Sequence, residues 1–335
     1  MNLKQLSYPE HVQFHLTNRC NLNCIFCWKH NYKKRHKDLS DSKLLRLTEE
    51  ACDLNPKRIT ISGGGEPLLR YNIVLKMMNS IKKNKIHGVL ITNGTIITSN
   101  YAKQIINTGW EEVQFSIESP DEVTDDYLRG KKGALKKSIQ GIKNINKWKE
   151  ELKKDTLLCF RTIITKHNYY QLSRLIVFAK NLSINKVYLR TVNEGECDFK
   201  GKLSVMKKDY NSFFKELQKT EKLAKSYKIW LELEFNPDDM IKHYKNDVDG
   251  RKICKIPYKE MVIFANGKAC SCCNFFEYQF TNRYPNALID TKNNNLKDIW
   301  FNGFKIFREE ILKNPNDICK ICSQDMINHD TKLRN

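Results

Sequence analysis

Cys20, Cys24 and Cys27 stand within eight residues, in the run Cys-Asn-Leu-Asn-Cys-Ile-Phe-Cys. Thiolates are soft ligands, and an iron–sulfur cluster held by protein normally takes four of them. Three on one short loop leave one iron without a protein ligand, open to a substrate or cosubstrate. With His30 the same three could instead form a Cys3His zinc site. A disulfide framework is not the expected use of the chain's twelve cysteines. The opening residues, Met-Asn-Leu-Lys-Gln-Leu-Ser-Tyr-Pro, carry no apolar signal segment, and a cytoplasmic location favours metal over bridges.

A second chemical element follows in Ile59-Thr-Ile-Ser-Gly63-Gly64-Gly65-Glu66-Pro67. Alternating β-branched residues predict a strand that the glycines end. Glycine allows positive φ and close approach of a ligand to the backbone, and Glu66 offers a carboxylate to a cationic group. The elements that must position these residues alternate regularly. Strand-like runs fall at 11–17, 58–62, 88–92, 112–117, 157–165 and 186–191, with helical periods near 40–53, 72–83, 99–108, 134–149 and 169–181. That pattern predicts an α/β fold, a partial (β/α)6 parallel barrel with right-handed crossovers, and ligands at the carboxyl ends of the strands. The cysteine loop follows the first strand, Glu66 the second and Asn93 the third.

These features together resemble the radical S-adenosylmethionine (radical SAM) enzymes, whose pattern includes an aromatic before the third cysteine, here Phe26. The resemblance implies a [4Fe-4S] cluster bound by Cys20, Cys24 and Cys27. Its open iron would chelate the amino and carboxylate groups of SAM, and the reduced cluster would cleave SAM to a 5′-deoxyadenosyl radical. It also implies that Gly63, Gly64, Gly65 and Glu66 hold the SAM amino group and that Asn93 joins the cofactor-binding set. Ser116 or Glu118, at the end of the fourth strand, would bind ribose, and Ile163 on the fifth would lie against adenine. Core packing is an equally open reading for Ile163, as is a helix-capping carboxylate before Pro120 for Glu118.

The last hundred residues carry another thiol set. Cys254 precedes Met261-Val-Ile-Phe-Ala-Asn266-Gly267-Lys-Ala-Cys270-Ser-Cys272-Cys273, where Asn-Gly between apolar runs predicts a hairpin with Cys272 on its returning strand. Cys319-Lys-Ile-Cys322 closes the set after a helix containing Leu296-Lys-Asp-Ile-Trp300. Four thiolates complete a cluster with no open iron, or a structural zinc. The layout resembles the twitch form of the SPASM auxiliary-cluster domain, and within it the 2-deoxy-scyllo-inosamine dehydrogenases. It implies an auxiliary [4Fe-4S] cluster on Cys254, Cys272, Cys319 and Cys322. Cys270 or Cys273 could replace Cys272, while Cys52, Cys159 and Cys197 read as incidental thiols. The expected division is a radical SAM core over 1–235 and an auxiliary-cluster domain over 236–335.

Composition sets the outer bounds. A chain of 335 residues suits one barrel and a small second domain, and no apolar run reaches the length of a membrane span. The formal charge of +20 is concentrated partly in Lys33–Lys37, beside the cysteine loop. It suits an acidic electron donor such as flavodoxin or ferredoxin, a phosphorylated substrate, or a generally lysine-rich surface; nucleic acid is the less favoured partner. The expected activity is oxidation of a small molecule, a sugar- or cyclitol-like alcohol, with the auxiliary cluster taking an electron from the substrate radical. Arg190 or Glu194, after the sixth strand, would take the proton. Side-chain modification of a peptide is the alternative; the nineteen residues before Cys20 leave no room for a leader-binding domain and favour the small molecule. A molybdopterin-type activity on a purine nucleotide is disfavoured, because that family ends in Gly-Gly and this chain ends Lys-Leu-Arg-Asn. A zinc-dependent nucleic-acid-binding module leaves Glu66 and the strand–helix alternation unexplained.

Overall fold

The alternation of β-branched and polar residues along each strand run gives one sheet with two unlike faces. The computed structural model describes residues 6–31, 37–192, 202–235, 255–272, 275 and 285–313. The strands are β1 (His11–His15), β2 (Arg58–Ser62), β3 (His87–Thr92), β4 (Glu112–Ser116), β5 (Leu157–Ile164), β6 (Lys186–Thr191) and β7 (Trp230–Leu233). Between them run α1 (Asp41–Asp53), α2 (Tyr71–Lys83), α3 (Ser99–Asn107), α4 (Glu122–Arg129), α5 (Ala134–Glu151), α6 (Leu172–Asn181) and α7 (Tyr210–Ser226). Each neighbouring pair from β1 to β7 is parallel, which the crossover helices require.

One face is apolar and lies under the helices. Val12, Phe14, Ile59, Ile61, Val113 and Phe160 are fully buried there. The other face is polar and hydrogen-bonded across strands: His11 to Thr60 (2.8 Å), Gln13 to Ser62 (2.9 Å), and Tyr188 to Glu112 (3.0 Å). Alternation along a pleated strand separates the two sets. A closed eight-stranded barrel fills its interior with stacked branched apolar side chains; this interior is built for water and charge.

The sheet extends beyond the six strands expected from sequence. It has ten, in the order β10-β9-β8-β1-β2-β3-β4-β5-β6-β7, with β8 (Glu260–Ile263), β9 (Lys268–Cys270) and β10 (Ile289–Asp290). The Asn266-Gly267 hairpin forms as expected, with Gly267 at φ 86°. Its first strand lies parallel to β1, with Val12 opposite Met261, so the sheet crosses the boundary expected at 235/236. Cys272 is not on the returning strand: β9 ends at Cys270, and a bend at Ser271 carries the chain out of the ladder.

A smaller apolar cluster forms beneath this hairpin from Val262, Phe264, Cys270, Cys272, Phe275 and Phe307. The helix at Lys305–Lys313 is tied down by Arg308, which is 1% exposed. It donates to the carbonyls of Pro257 (2.8 Å) and Trp300 (2.5 Å) and lies 4.2 Å above the Trp300 ring. Trp300 in turn donates to the Ser7 carbonyl at 2.9 Å, joining this helix to the segment before β1. Among the described residues, no helix is long and apolar enough to cross a membrane.

Candidate functional site

The cysteine loop leaves β1 stitched to the glycine segment that leaves β2. Gly65 N donates to Thr17 O and Glu66 N to Arg19 O, both at 2.8 Å. This contact, rather than backbone handedness, is why glycines stand there. A Cβ on Gly65 would meet Arg19 O at 1.9 Å, one on Gly64 would meet Asn18 Oδ1 at 2.3 Å, and one on Gly63 would meet Gly65 O at 2.2 Å. None of the three has positive φ, so of the two properties glycine offers here it is close approach that is used. It is the neighbouring chain that needs the space.

From the other side, the loop is held by the end of α4. Asn23 N donates to Arg129 O (3.2 Å) and Ile25 N to Leu128 O (2.9 Å), which satisfies carbonyls a helix terminus leaves without intrahelical partners. Gly130 then turns left-handed at φ 62°, and a Cβ on it would meet Asn23 O at 2.0 Å. The helical periods read from the sequence do not include α4, which is short and spans Glu122–Arg129. Asp121 caps it through Thr124 N at 2.9 Å.

Glu66 sits at the centre, 1% exposed. Its Oε1 accepts from Leu68 N (3.0 Å) and Thr92 Oγ1 (2.7 Å), and its Oε2 from Asn93 N (2.7 Å). Burial raises its pKa, against the pull of these three donors and of Arg129. A carboxylate has about four acceptor positions, so three are spent on protein and one is left. Asn93 spans the space between Glu66 and the loop. Its Nδ2 donates to Asn21 Oδ1 at 2.9 Å and reaches Cys20 Sγ at 3.9 Å, while its carbonyl accepts from Arg129 Nη2 (2.8 Å) and Ser138 Oγ (2.7 Å). Arg129 was not foreseen. It is fully buried and lines the site, and the only sequence signal was a basic residue just before a glycine turn.

Around these groups lies a cavity of about 340 Å³. Cys20, Cys24, Phe26 and Cys27 form part of its wall, and the three glycines, Glu66 and Asn93 another. Ser116, Glu118, Ile163 and Arg190 close it at the ends of β4, β5 and β6. Every described residue that the resemblance assigns to the first cluster or to SAM therefore lines one cavity, together with Arg190. Glu194 lies outside the described residues.

Two side readings are decided by placement. Ile163 is half-buried and faces the cavity instead of joining the apolar core. Glu118 does not cap a helix: its Oε2 accepts from Ile163 N at 2.7 Å, across the β4–β5 gap. Burial and the nearby Asp125 charge push its pKa to about 8, with the Ile163 N–H, Arg129 and Arg161 opposing.

The thiols fit a cluster. All three are free, on one loop, and half-buried. Leu22 N and Asn93 Nδ2 donate toward Cys20 Sγ, the kind of hydrogen bond that tunes cluster sulfur. Burial raises the Cys24 and Cys27 thiol pKa values, so without metal both are neutral, and metal binding would release their protons. His30 Nε2 is engaged with the Cys24 carbonyl at 2.8 Å, which leaves Nδ1 as the ring nitrogen open to a metal. Among the described residues, however, no group of three or more His, Cys, Asp or Glu side chains is arranged to hold a single metal ion. Of the C-terminal set only Cys272 is described; Cys254, Cys319 and Cys322 lie outside the described residues. Cys272 is buried, and its carbonyl accepts from Cys270 Sγ at 2.8 Å.

Comparisons with known proteins agree with this geometry. Residues 14–163 match the family model of the Radical SAM superfamily. A GTP 3′,8-cyclase of Thermodesulfovibrio yellowstonii is 29% identical over 148 residues, 40% of this chain and 46% of the relative. The chain thus spans about half the length of the curated relatives it matches. Among solved structures, Streptococcus suis SuiB bound to its precursor peptide SuiA aligns over 96% of this chain and 72% of its own, with TM-score 0.70 and 18% identity. The structure of anSMEcpe with bound AdoMet aligns over 94% of this chain and 88% of its own, with TM-score 0.67 and 16% identity. At such identities the likeness is one of fold. Over β1 to β5, somewhat less than half of its length, the chain is similar to the Radical SAM superfamily.

Proposed function

We propose that the chain binds a [4Fe-4S] cluster through Cys20, Cys24 and Cys27, binds SAM beside it, and directs the resulting radical at a substrate held over the strand ends. The observation that carries this is the single cavity in which three thiols, Glu66 and the ends of β4 to β6 meet. A cluster held by Cys20, Cys24 and Cys27 would, when bound and reduced, supply the electron for reductive cleavage of SAM.

The protein's part is positioning and exclusion of water. Glu66, with one acceptor position left, takes one N–H of the SAM amino group. Asn93 fixes the loop that carries Cys20. Glu118, largely protonated at neutral pH, donates to a ribose oxygen, with Ser116 beside it. Ile163 offers an apolar wall to adenine. Arg190 lines the cavity as a permanent cation, suited to orient an anionic or carbonyl group, which leaves Glu194 as the proton acceptor of the proposal.

For the substrate, the C-terminal thiols support net oxidation of a small alcohol such as a sugar or cyclitol. Cys254, Cys272, Cys319 and Cys322 would hold an auxiliary [4Fe-4S] cluster that takes the second electron. A second reading, modification of a peptide side chain, is favoured by the whole-chain fold likeness to SuiB, which was solved with a peptide. In both readings, the first electron comes from an acidic carrier such as flavodoxin or ferredoxin.

Anaerobic reconstitution tests the proposal. About eight irons per chain are expected for two four-iron clusters, and zinc in their place would overturn it. Cys24→Ala should abolish 5′-deoxyadenosine under dithionite. Cys322→Ala should lower iron content while part of the SAM cleavage survives.

A further inference from the structure

The outer side of α4 and the start of α5 present exposed side chains that the cavity does not use, with Tyr127 meeting the His167 ring edge-on at 5.3 Å. Val123 and Tyr127, at i and i+4 of α4, share one side of the helix and are 79% and 53% exposed. Just past the helix, residues 130–143 contain five lysines and no acid. Lys131, Lys132, Lys136 and Lys137 are all exposed. The acids closest in sequence are spent internally: Asp126 accepts from Gly133 N and Leu135 N, and Asp125 is buried against Arg129. An exposed apolar pair thus lies on the helix that leads directly into this lysine-rich stretch, with Glu122 as the exposed acid next to Val123.

This surface is built on the segment that holds the cysteine loop. Lys131 Nζ donates to Asn21 O at 2.9 Å, and Asn23 and Ile25 bond to the last carbonyls of α4. A molecule seated here would be one hydrogen bond away from the loop that carries Cys20 and Cys24. A polyanion such as nucleic acid would use the lysines but gain little from a bare valine and tyrosine. A protein with acidic residues around an apolar centre would use both.

We propose that this face, Val123 and Tyr127 flanked by Lys131, Lys132, Lys136 and Lys137, is where an acidic one-electron carrier protein docks to reduce the cluster. The inference rests on the reading of Cys20, Cys24 and Cys27 as cluster ligands. In each encounter one electron leaves the carrier's reduced cofactor and one enters the cluster; no covalent bond forms between the proteins. The lysines steer the approach, and the apolar pair seats the carrier against the helix that grips the loop.

The test compares the reconstituted wild type with K132E/K136E/K137E and with a control, K215E/K219E/K222E, on the exposed side of α7. Two readouts are taken with a flavodoxin as probe: its binding, by flavin fluorescence with the oxidised carrier, and 5′-deoxyadenosine formation with the reduced carrier. Dithionite serves as a carrier-free reductant. Flavodoxin binding and flavodoxin-driven turnover should both fall about tenfold or more at low salt for K132E/K136E/K137E, within the usual range of steering effects. Its dithionite-driven rate should stay at the wild-type value, and the α7 control should behave as wild type. Equal losses in both lysine variants would show a net-charge effect and overturn the assigned surface, as would no loss at all. If wild-type protein forms no 5′-deoxyadenosine even with dithionite, the cluster reading fails and the surface with it. If turnover survives with dithionite but binding is indifferent to Lys132, Lys136 and Lys137, only the docking assignment fails.

Discussion

Asn93 N donates to Glu66 Oε2 at 2.7 Å, linking the ends of β2 and β3 through a buried carboxylate. The same asparagine reaches Asn21 and Cys20 with its side chain. Glu66 is therefore a structural acceptor as well as a candidate ligand for SAM, and its replacement should be felt in both respects.

Glu66→Gln keeps the shape but turns an N–H2 toward the donors Leu68 N, Thr92 Oγ1 or Asn93 N. A buried donor facing a donor costs about 1–3 kcal/mol. Calorimetric unfolding should show that loss, and SAM affinity of the reconstituted protein should fall in parallel. Unchanged melting with lost SAM affinity would mean that the carboxylate serves the ligand alone.

Arg129→Lys should be far from conservative. The guanidinium serves Asp125, Ser138 and the Asn93 carbonyl at once, and an ammonium cannot reproduce that fork. Leaving buried Asp125 poorly paired should cost on the order of 3 kcal/mol. Reconstituted iron content should drop as well, because the carbonyls of Leu128 and Arg129 hold the cysteine loop. Full iron with normal stability would contradict this account.

Gly65→Ala places a methyl against a backbone oxygen that no rotamer change can move aside. Overpacking of this kind costs about 1–3 kcal/mol. The expected readout is a lowered melting temperature with fewer irons bound, whereas Gly109→Ala, with nothing within 4 Å of its Cβ, should pay only for its backbone conformation.

His15 should set part of the acid limit of stability. Buried on the polar face, it has its pKa lowered from 6.5 to about 4 by burial, only partly offset by the Glu260 charge. Between those values the unfolded chain binds a proton that the folded chain refuses, so stability falls as pH drops from 6.5 toward 4. The full effect is about 3 kcal/mol. His15→Gln should flatten that limb of a urea-unfolding pH profile; an unchanged slope would assign it to other groups.

Much of this was legible in the sequence because it is local. Period-two alternation marks β2 and β6 to the residue, and Ser40 caps α1 just where its pattern begins. The cysteine spacing and the glycine segment announce the site, since each is fixed by short-range geometry. What could not be read depends on partners far along the chain. Arg129 is a cavity wall only because Asn93 O lies across from it, and the reason for Gly64 and Gly65 is visible only once Asn18 and Arg19 are placed. The pairing of β8 with β1 leaves no local trace at all. Nor does the double duty of Glu66, whose three protein donors are the backbone N–H groups of Leu68 and Asn93 and the Thr92 hydroxyl.

That last strand pairing has a consequence for synthesis on the ribosome. β1, which launches the cysteine loop, has one neighbour within the first 62 residues and receives the other only when Glu260–Ile263 emerges. Until then an uncovered edge sits beside the three thiols of the cysteine loop, in the form most prone to mispairing. A fragment ended at residue 235 should therefore aggregate even though β1 to β7 are all present. Loading iron before the chain is finished would have to compete with that hazard.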